Sequence, residues 1–262
     1  MTDPCQIHDF PSQTRVKAVL FDFDRTLVDL FTPQAFAKMA GHLVRFYERA
    51  LDRGQGDDPA VELVEKAKVD GAGRPYSLWA DVYQALVHVD IDRAEKLSRD
   101  VAAILSEHEC ASAAAKEAPP PPLPGVERAL CWLEDGDVAL ATISTNCQPA
   151  VRTALHRAGL LGRFDVIVAR TPELDMANLK PSPFPVELAL DRLPCAPGDA
   201  ILVGDSVLDM QAGQAAKVYT VGVPSSLASG EELAAAGAAT VLDSMAGLKG
   251  AIGKELGPVR RP

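Results

Sequence analysis

The sequence predicts an α/β fold in which a doubly wound parallel sheet carries an inserted α-helical domain. After residue 120, short apolar runs alternate with stretches of helical periodicity. The apolar runs are nearly continuous, which is typical of parallel strands that helices cover on both faces. Between the first run and the second, residues 33 to about 117 show helical periodicity and no convincing strand. These observations predict a core of alternating strands and helices that a helical insertion interrupts once.

Six segments have the length and composition of strands. KAVLFDF (17–23) comes first and ends in a charged stretch. The others are DVALATIS (137–144), DVIVA (165–169), DAILVG (199–204), VYTVGV (218–223) and AATVL (238–242). A helical pattern follows each of these five, so the chain has the crossover connections that parallel strands require.

The insertion contains four helical patterns, most of them amphipathic. They are PQAFAKMAGHLVRFYERAL (33–51), PAVELVEKAK (59–68), SLWADVYQALVHV (77–89) and DRAEKLSRDVAAILSEHE (92–109). The insertion ends at EAPPPPLPG (117–125), whose prolines stop a helix and favour a stiff, extended connector. We therefore expect a core of residues 16–31 and 121–256, a helical domain of residues 32–120, and flexible termini at 1–15 and 257–262.

Composition narrows the possible partners and the compartment. A formal net charge of −10 and an isoelectric point near 5.0 argue against nucleic acid or an anionic membrane as the main partner. The N-terminal segment lacks the basic start and apolar stretch of a secretory signal, and no later segment sustains a membrane span, which predicts a cytoplasmic protein. The five cysteines are scattered without a C-x-x-C pair, so we expect reduced thiols, with Cys131 and Cys147 buried.

Polar residues follow several of the predicted strands at the point where each strand ends. They are Asp22, Asp24, Thr145, Asn146, Lys180, Asp205 and Asp209. Because ligands bind outside the carboxyl ends of the strands in an open parallel sheet, we expect these residues to share one site. Each has an unremarkable alternative when taken alone: a solvated turn, a surface lysine or a helix N-cap.

The predicted site has the chemistry of phosphoryl transfer. Clustered carboxylates repel one another unless a cation holds them, and oxygen ligands without histidine or cysteine suit Mg²⁺. Thr145, Asn146 and Lys180 add hydrogen-bond donors and a positive charge where an anion could sit.

The motifs FDFDRTL, ISTN, KPSP and VGDSVLD, in this order, resemble the four signature motifs of the haloacid dehalogenase superfamily. The resemblance implies a Rossmann-like core in which an aspartate becomes phosphorylated. A helical insertion directly after the first motif is similar to members with an α-helical cap, including phosphoglycolate phosphatase-like enzymes.

The resemblance also implies a role for each site residue. Asp22 would be the nucleophile, and Asp24 the general acid that protonates the leaving alcohol and then the base that activates water. Thr145 and Lys180 would hold the phosphoryl oxygens. Mg²⁺ would be bound by the carboxylates of Asp22 and Asp205 and by the backbone carbonyl of Asp24. Asp209 would position Lys180 or a metal-bound water.

Two positions depart from the family pattern. Arg25 stands where glycine most often follows the second aspartate, and Lys217 stands where glycine often follows the helix after the fourth motif. We expect Arg25 to alter the turn toward the insertion, and Lys217 to affect only the end of a helix.

A helical cap over the strand ends would exclude water and large substrates, which favours a small phosphorylated metabolite. Asn146 and Arg74 are the predicted substrate-binding residues. Arg74 lies in VDGAGRPYSLW (69–79), which resembles the specificity loop of related caps; the alternative is a turn between helices with Trp79 anchored in the core. We expect a monomer or a homodimer.

The sequence therefore favours a Mg²⁺-dependent phosphatase that acts through an aspartyl phosphate. A sugar phosphomutase would use the same residues, and a catalytically silent binding or regulatory homologue is the alternative outside enzymes. Dehalogenases and phosphonate-cleaving relatives usually lack the second aspartate. A receiver-type signalling domain is about half this length and carries its phosphorylated aspartate on a middle strand.

Overall fold

The computed structural model describes residues 16–51, 58–69, 75–115, 121–172 and 176–252. The predicted flexible termini and Arg74 lie outside these residues, as do residues 117–120 of the proline-rich connector. Among the described helices, none combines the length and the apolar character that crossing a bilayer requires.

The described residues form a six-stranded parallel sheet with the order β3-β2-β1-β4-β5-β6, which confirms the predicted doubly wound fold. The strands are β1 (Ala18–Asp22), β2 (Ala139–Cys147), β3 (Val166–Arg170), β4 (Ala200–Gly204), β5 (Tyr219–Gly222) and β6 (Thr240–Val241). β1 lies in the middle, between β2 and β4. The strand order reverses here, so the carboxyl ends of β1 and β4 form the crevice where ligands bind in such sheets.

Five helices lie between β1 and β2 in the described part of the chain, and we call the first four, which the sequence predicts, the helical insertion. They are α1 (Pro33–Ala50), α2 (Pro59–Val69), α3 (Pro75–Val87) and α4 (Ile91–Ala113). Local chemistry sets where they begin: the Thr32 hydroxyl caps α1 by accepting from the Ala35 backbone N–H at 3.2 Å, and the Asp90 carboxylate caps α4.

The helices of the core cover both faces of the sheet. They are α5 (Val126–Asp135), α6 (Gln148–Arg157), α7 (Phe184–Arg192), α8 (Val207–Ala215), α9 (Gly230–Ala235) and α10 (Leu248–Ile252). On one face, Leu20 of β1 packs in an apolar cluster with residues of α7 and α8. On the other, Phe21 of β1 shares a larger cluster with residues of α5, α6 and the helical insertion. Successive strand residues point to opposite faces of the sheet, so a continuous apolar run gives both faces an apolar surface that the helices bury.

Two local predictions were wrong. Strand β2 extends three residues beyond its predicted end at Ser144, because a register shift against β3 between Ser144 and Cys147 lets the pairing continue. Cys131 is exposed and not buried, since the buried face of α5 carries Val126, Ala129, Leu130 and Leu133 instead. Cys147 is buried as expected, and the cysteines among the described residues are free thiols.

Lys217 affects the end of a helix, as predicted. It follows Ala216, the C-cap residue of α8, and adopts a φ of 60°, the left-handed conformation that glycine adopts most easily. Its backbone N–H still donates to the Gln214 carbonyl at 3.0 Å, so the helix end is satisfied despite the lysine.

Candidate active site

The carboxyl ends of the central strands open into a cavity of about 320 Å³. Its lining includes six of the predicted residues: Asp22, Asp24, Thr145, Asn146, Lys180 and Asp205. The helical insertion contributes Phe36 from α1 and Pro75, Tyr76 and Ser77 from the start of α3. The predicted side chains, which are up to 183 residues apart in sequence, therefore face one cavity.

The carboxylates of Asp22, Asp205 and Asp209 each place an oxygen within 4.8 Å of the others. Asp209 reaches this cluster because Ser206 begins α8 with a capping box, in which the Ser206 backbone N–H donates to Asp209 Oδ2 at 3.1 Å. Gly204 leaves room for it, since a Cβ there would lie 2.5 Å from the Asp209 Cβ.

Lys180 connects two of these carboxylates. Its ammonium group donates to Asp22 Oδ1 and to Asp209 Oδ1, the latter at 2.6 Å, and the residue is only 6% exposed. Burial by itself lowers the pKa of Lys180, but the nearby Asp209 and Asp22 carboxylates outweigh burial and raise it. Lys180 is therefore a fixed cation next to the Asp22 carboxylate.

One lysine does not neutralise this group of acids. Burial, with the neighbouring carboxylates, raises the pKa of Asp22 to about 8 and that of Asp205 to about 7. Asp205 Oδ2 is buried and has no hydrogen-bond partner among the described residues. A buried carboxylate oxygen without a partner, beside two further carboxylates, fits a site for a hard cation.

Asp24 lies two residues beyond Asp22, at the edge of the cavity. Its Oδ1 accepts from the Leu30 backbone N–H at 2.7 Å, which fixes the side chain against the loop before α1. Burial raises its pKa to about 7, while the Leu30 hydrogen bond and the charge of Arg25 lower it. A carboxyl group with a pKa near neutrality suits a group that both gives and takes a proton.

Arg25, which stands where glycine most often follows the second aspartate, adopts a left-handed backbone conformation. Its φ is 62°, a conformation that costs a residue other than glycine roughly 1–2 kcal/mol. Its backbone N–H donates to the Val28 carbonyl at 2.7 Å, and its guanidinium lies over the Phe36 ring, with Cζ 4.8 Å from the ring centre. The turn is thus the tight one that glycine permits, with a cation added at the cavity wall.

A hydrogen-bond network holds Asn146 and the neighbouring backbone of β2. The Asn146 amide donates to the Tyr76 hydroxyl at 2.7 Å, and its oxygen accepts from the Ser144 hydroxyl at 3.0 Å. The Arg170 Nε donates to the Thr145 carbonyl at 2.9 Å. These contacts fix the direction of the segment that the sequence assigned to phosphate binding.

The sequence did not reveal the buried ion pair at the centre of this network. Arg170, at the end of β3, donates through Nη2 to both carboxylate oxygens of Glu109 on α4 at 2.8 Å. Glu109 also accepts from the Tyr76 hydroxyl at 2.8 Å and from the Cys147 backbone N–H at 2.6 Å. The sequence did contain one indication of Arg170: it is a charged residue directly after the apolar run DVIVA, and the same pattern identified Asp22.

The structure answers part of the question about segment 69–79. Trp79 is buried, and its indole N–H donates to the Ser98 hydroxyl at 3.0 Å, so this ring anchors the helical insertion. Tyr76 lines the cavity instead. Arg74 lies outside the described residues, and its assignment to substrate binding stays a prediction.

Comparison with protein families gives a match to the family described as "Haloacid dehalogenase-like hydrolase" over residues 87–223. This region covers more than half of the chain and contains Thr145, Lys180, Asp205 and Asp209, but not Asp22 or Asp24.

Curated relatives carry the names of phosphate-releasing enzymes. A pyrophosphatase PpaX from Bacillus pumilus is 40% identical over 100 residues, which are 38% of this chain and 44% of the relative. A phosphoglycolate phosphatase from Nitrosospira multiformis is 35% identical over 101 residues, covering 38% of this chain and 43% of that protein. The chain thus spans about half the length of the curated relatives it matches.

Solved structures show the same fold. A haloacid dehalogenase-like hydrolase from Bacteroides fragilis superposes with a TM-score of 0.62 at 22% identity, covering 89% of this chain and all of the other.

Proposed function

The chain belongs to the haloacid dehalogenase-like hydrolase family, and we propose that it is a Mg²⁺-dependent phosphatase of a small phosphate monoester. The observation that carries this proposal is the geometry of Asp22. Its carboxylate lies at the end of the central strand, faces a cavity of about 320 Å³ and is held by the buried cation of Lys180. The matched region does not include Asp22 and Asp24, so their roles rest on this geometry and on the FDFDRTL motif.

Asp22 would attack the phosphorus atom and form an aspartyl phosphate. The Lys180 ammonium opposes the effect of burial and stabilises the ionised carboxylate that attack requires. It would also lie beside the phosphoryl oxygens as they gain negative charge, and would stabilise the transition state together with the Thr145 hydroxyl.

Asp24 would transfer the protons. In the first step it would protonate the oxygen of the leaving alcohol, and in the second it would take a proton from the water that hydrolyses the aspartyl phosphate. Its pKa of about 7 allows both protonation states near neutral pH, and its hydrogen bond from Leu30 leaves the other carboxylate oxygen available.

The residues present fit Mg²⁺. Asp22 and Asp205 would bind it through their carboxylates, and Asp24 through its backbone carbonyl. Asp209 already accepts from Lys180 and Ser206, which favours a positioning role for it over direct ligation. When bound, the cation would neutralise the clustered carboxylates and the charge of the transferring phosphoryl group.

The cavity supports a small metabolite as the substrate. A volume of about 320 Å³ matches the lower range of small-molecule sites, and part of its wall belongs to the helical insertion. We propose that this insertion, with the region 32–120 that contains it, acts as the cap domain that the sequence predicts.

The proposed function is tested by phosphate release from p-nitrophenyl phosphate and a panel of small phosphate esters, with Mg²⁺ and with EDTA. Asp22→Asn should abolish release, because an amide is a poor nucleophile. Asp29→Asn is the matched control, since Asp29 is an exposed carboxylate in the same loop. Release by Asp22→Asn at the wild-type rate would refute the nucleophile, and release that is independent of Mg²⁺ would refute the metal.

A phosphomutase remains the second candidate because it would use the same residues. It would transfer the phosphoryl group from Asp22 to a sugar hydroxyl. Isomerisation of a sugar phosphate without release of inorganic phosphate would identify it.

A further inference from the structure

We propose that Arg25 selects substrates whose leaving group carries a second anionic group, either a carboxylate or a phosphate. This inference rests on the proposed function, because it concerns the part of the ester that departs from Asp22. It starts from the residue that replaces the usual glycine in the first motif.

Arg25 is a cation at the cavity wall that has no charged partner among the described residues. Lys180, the other basic residue among the described lining, is already bound to Asp22 and Asp209. In the described part of the chain, the guanidinium of Arg25 forms neither an ion pair nor a hydrogen bond, and it rests on the Phe36 ring. All the donors of a guanidinium, which matches carboxylate and phosphate geometry, therefore remain available in a half-buried place.

The position of Arg25 in the chain favours a contact with the leaving group over a contact with the phosphoryl group that is transferred. Arg25 directly follows Asp24, the proposed acid for the leaving oxygen, and its charge lowers the pKa of that carboxyl. Groups attached to the leaving oxygen must therefore pass close to Arg25. The lining of the cavity also includes the uncharged side chains of Phe36, Leu208 and Leu227.

The backbone gives a second, independent reason. Arg25 has a φ of 62°, where glycine would avoid the steric cost that a side chain causes. The chain accepts this strain at the edge of the cavity, and strained backbone occurs preferentially at sites where a side chain has a function. Glycine would make the same turn but would leave the cavity with no free cation in its described lining.

The test compares esters that differ mainly in one charge. For the carboxylate, the pair is phosphoglycolate and 2-hydroxyethyl phosphate; for the phosphate, it is ethylene glycol bisphosphate and 2-hydroxyethyl phosphate. The wild-type protein should prefer the charged member of at least one pair in kcat/KM, and the pair that shows it identifies the anion. The variant is Arg25→Asn, because asparagine tolerates the left-handed conformation and removes the charge.

We expect Arg25→Asn to reduce the preference for the charged ester by about 10-fold or more, mainly through KM, as the loss of one ion pair does. Arg25→Lys should retain part of the preference. Arg45→Gln is the control, because it removes a positive charge from an exposed position on α1 that lines a different cavity.

The outcomes separate this inference from the proposed function. If the wild type hydrolyses the esters and Arg25→Asn changes both members of each pair equally, the inference is wrong and the phosphatase stands. If the wild type hydrolyses none of them with Mg²⁺ present, the proposed function is wrong and the inference falls with it.

Discussion

At the scale of single residues, the two aspartates of the first motif lie two positions apart and should fail in different ways when changed. In Asp24→Asn, Asp22 can still attack p-nitrophenyl phosphate, because nitrophenolate leaves without being protonated. The aspartyl phosphate should then accumulate, since no base activates water. We expect a burst of about one nitrophenolate per enzyme followed by a rate about 10²–10⁴-fold below wild type.

Stopped-flow absorbance measures this burst. Asp22→Asn, which lacks the nucleophile, should show no burst. Steady turnover of p-nitrophenyl phosphate by Asp24→Asn at the wild-type rate would remove Asp24 from both proton transfers.

Several of the individual site residues could be predicted from the sequence. Asp22 and Asp205 were predictable because each stands at the end of an apolar run, and Lys180 because it lies in the loop that follows β3. Parallel strands bring their carboxyl ends together. The φ of Arg25 and its contact with Phe36 were not, because they depend on how the turn after β1 meets the helical insertion. Periodicity assigns a residue to a face of an element but does not reveal which other element meets that face.

At the scale of elements, α4 is joined to the sheet by the buried pair of Glu109 and Arg170, which are 0% and 4% exposed. Arg170→Met would leave the Glu109 carboxylate buried without its cation. We expect this to lower the free energy of unfolding by about 3–5 kcal/mol, because an unpaired buried charge keeps its desolvation cost. Urea denaturation measures the change.

A double-mutant cycle distinguishes the pair from packing. Glu109→Gln combined with Arg170→Met should cost much less than the sum of the two single changes, since no uncompensated charge then remains. Lys96→Met on the same helix is the control: its ion pair with Asp100 is exposed, so its loss should change stability by about 0.5 kcal/mol or less. Additive single changes would show that the two charges are not coupled.

This pair also marks the limit of prediction at the element scale. The helices of the insertion and the strands of the core were found close to their predicted bounds, because each has its own period and its own caps. The contact between α4 and β3 joins residues 61 positions apart, and only the packing of the insertion against the sheet creates it.

At the scale of the whole molecule, we expect the carboxylate cluster to make stability depend on pH and on Mg²⁺. Burial is the main cause that raises the pKa of Asp205 to about 7, whereas an unfolded chain has an aspartate pKa of about 3.9. Between roughly pH 4 and pH 7 the folded state therefore holds a proton that the unfolded state has released. By linkage, this group makes the folded protein less stable as pH rises through that window.

Mg²⁺ should reverse this trend, because it binds the deprotonated carboxylates of the folded state. We expect Mg²⁺ to raise the melting temperature more at pH 8 than at pH 5. Asp205→Asn removes one titrating ligand. As pH rises, this variant should therefore become more stable relative to metal-free wild type, and Mg²⁺ should raise its melting temperature less. Calorimetry in EDTA and in Mg²⁺ at both pH values measures both effects. If Mg²⁺ raises the melting temperature of wild type and of Asp205→Asn equally, the metal binds elsewhere. If the rise grows with pH only in the wild type, the metal binds at the cluster that contains Asp22 and Asp205.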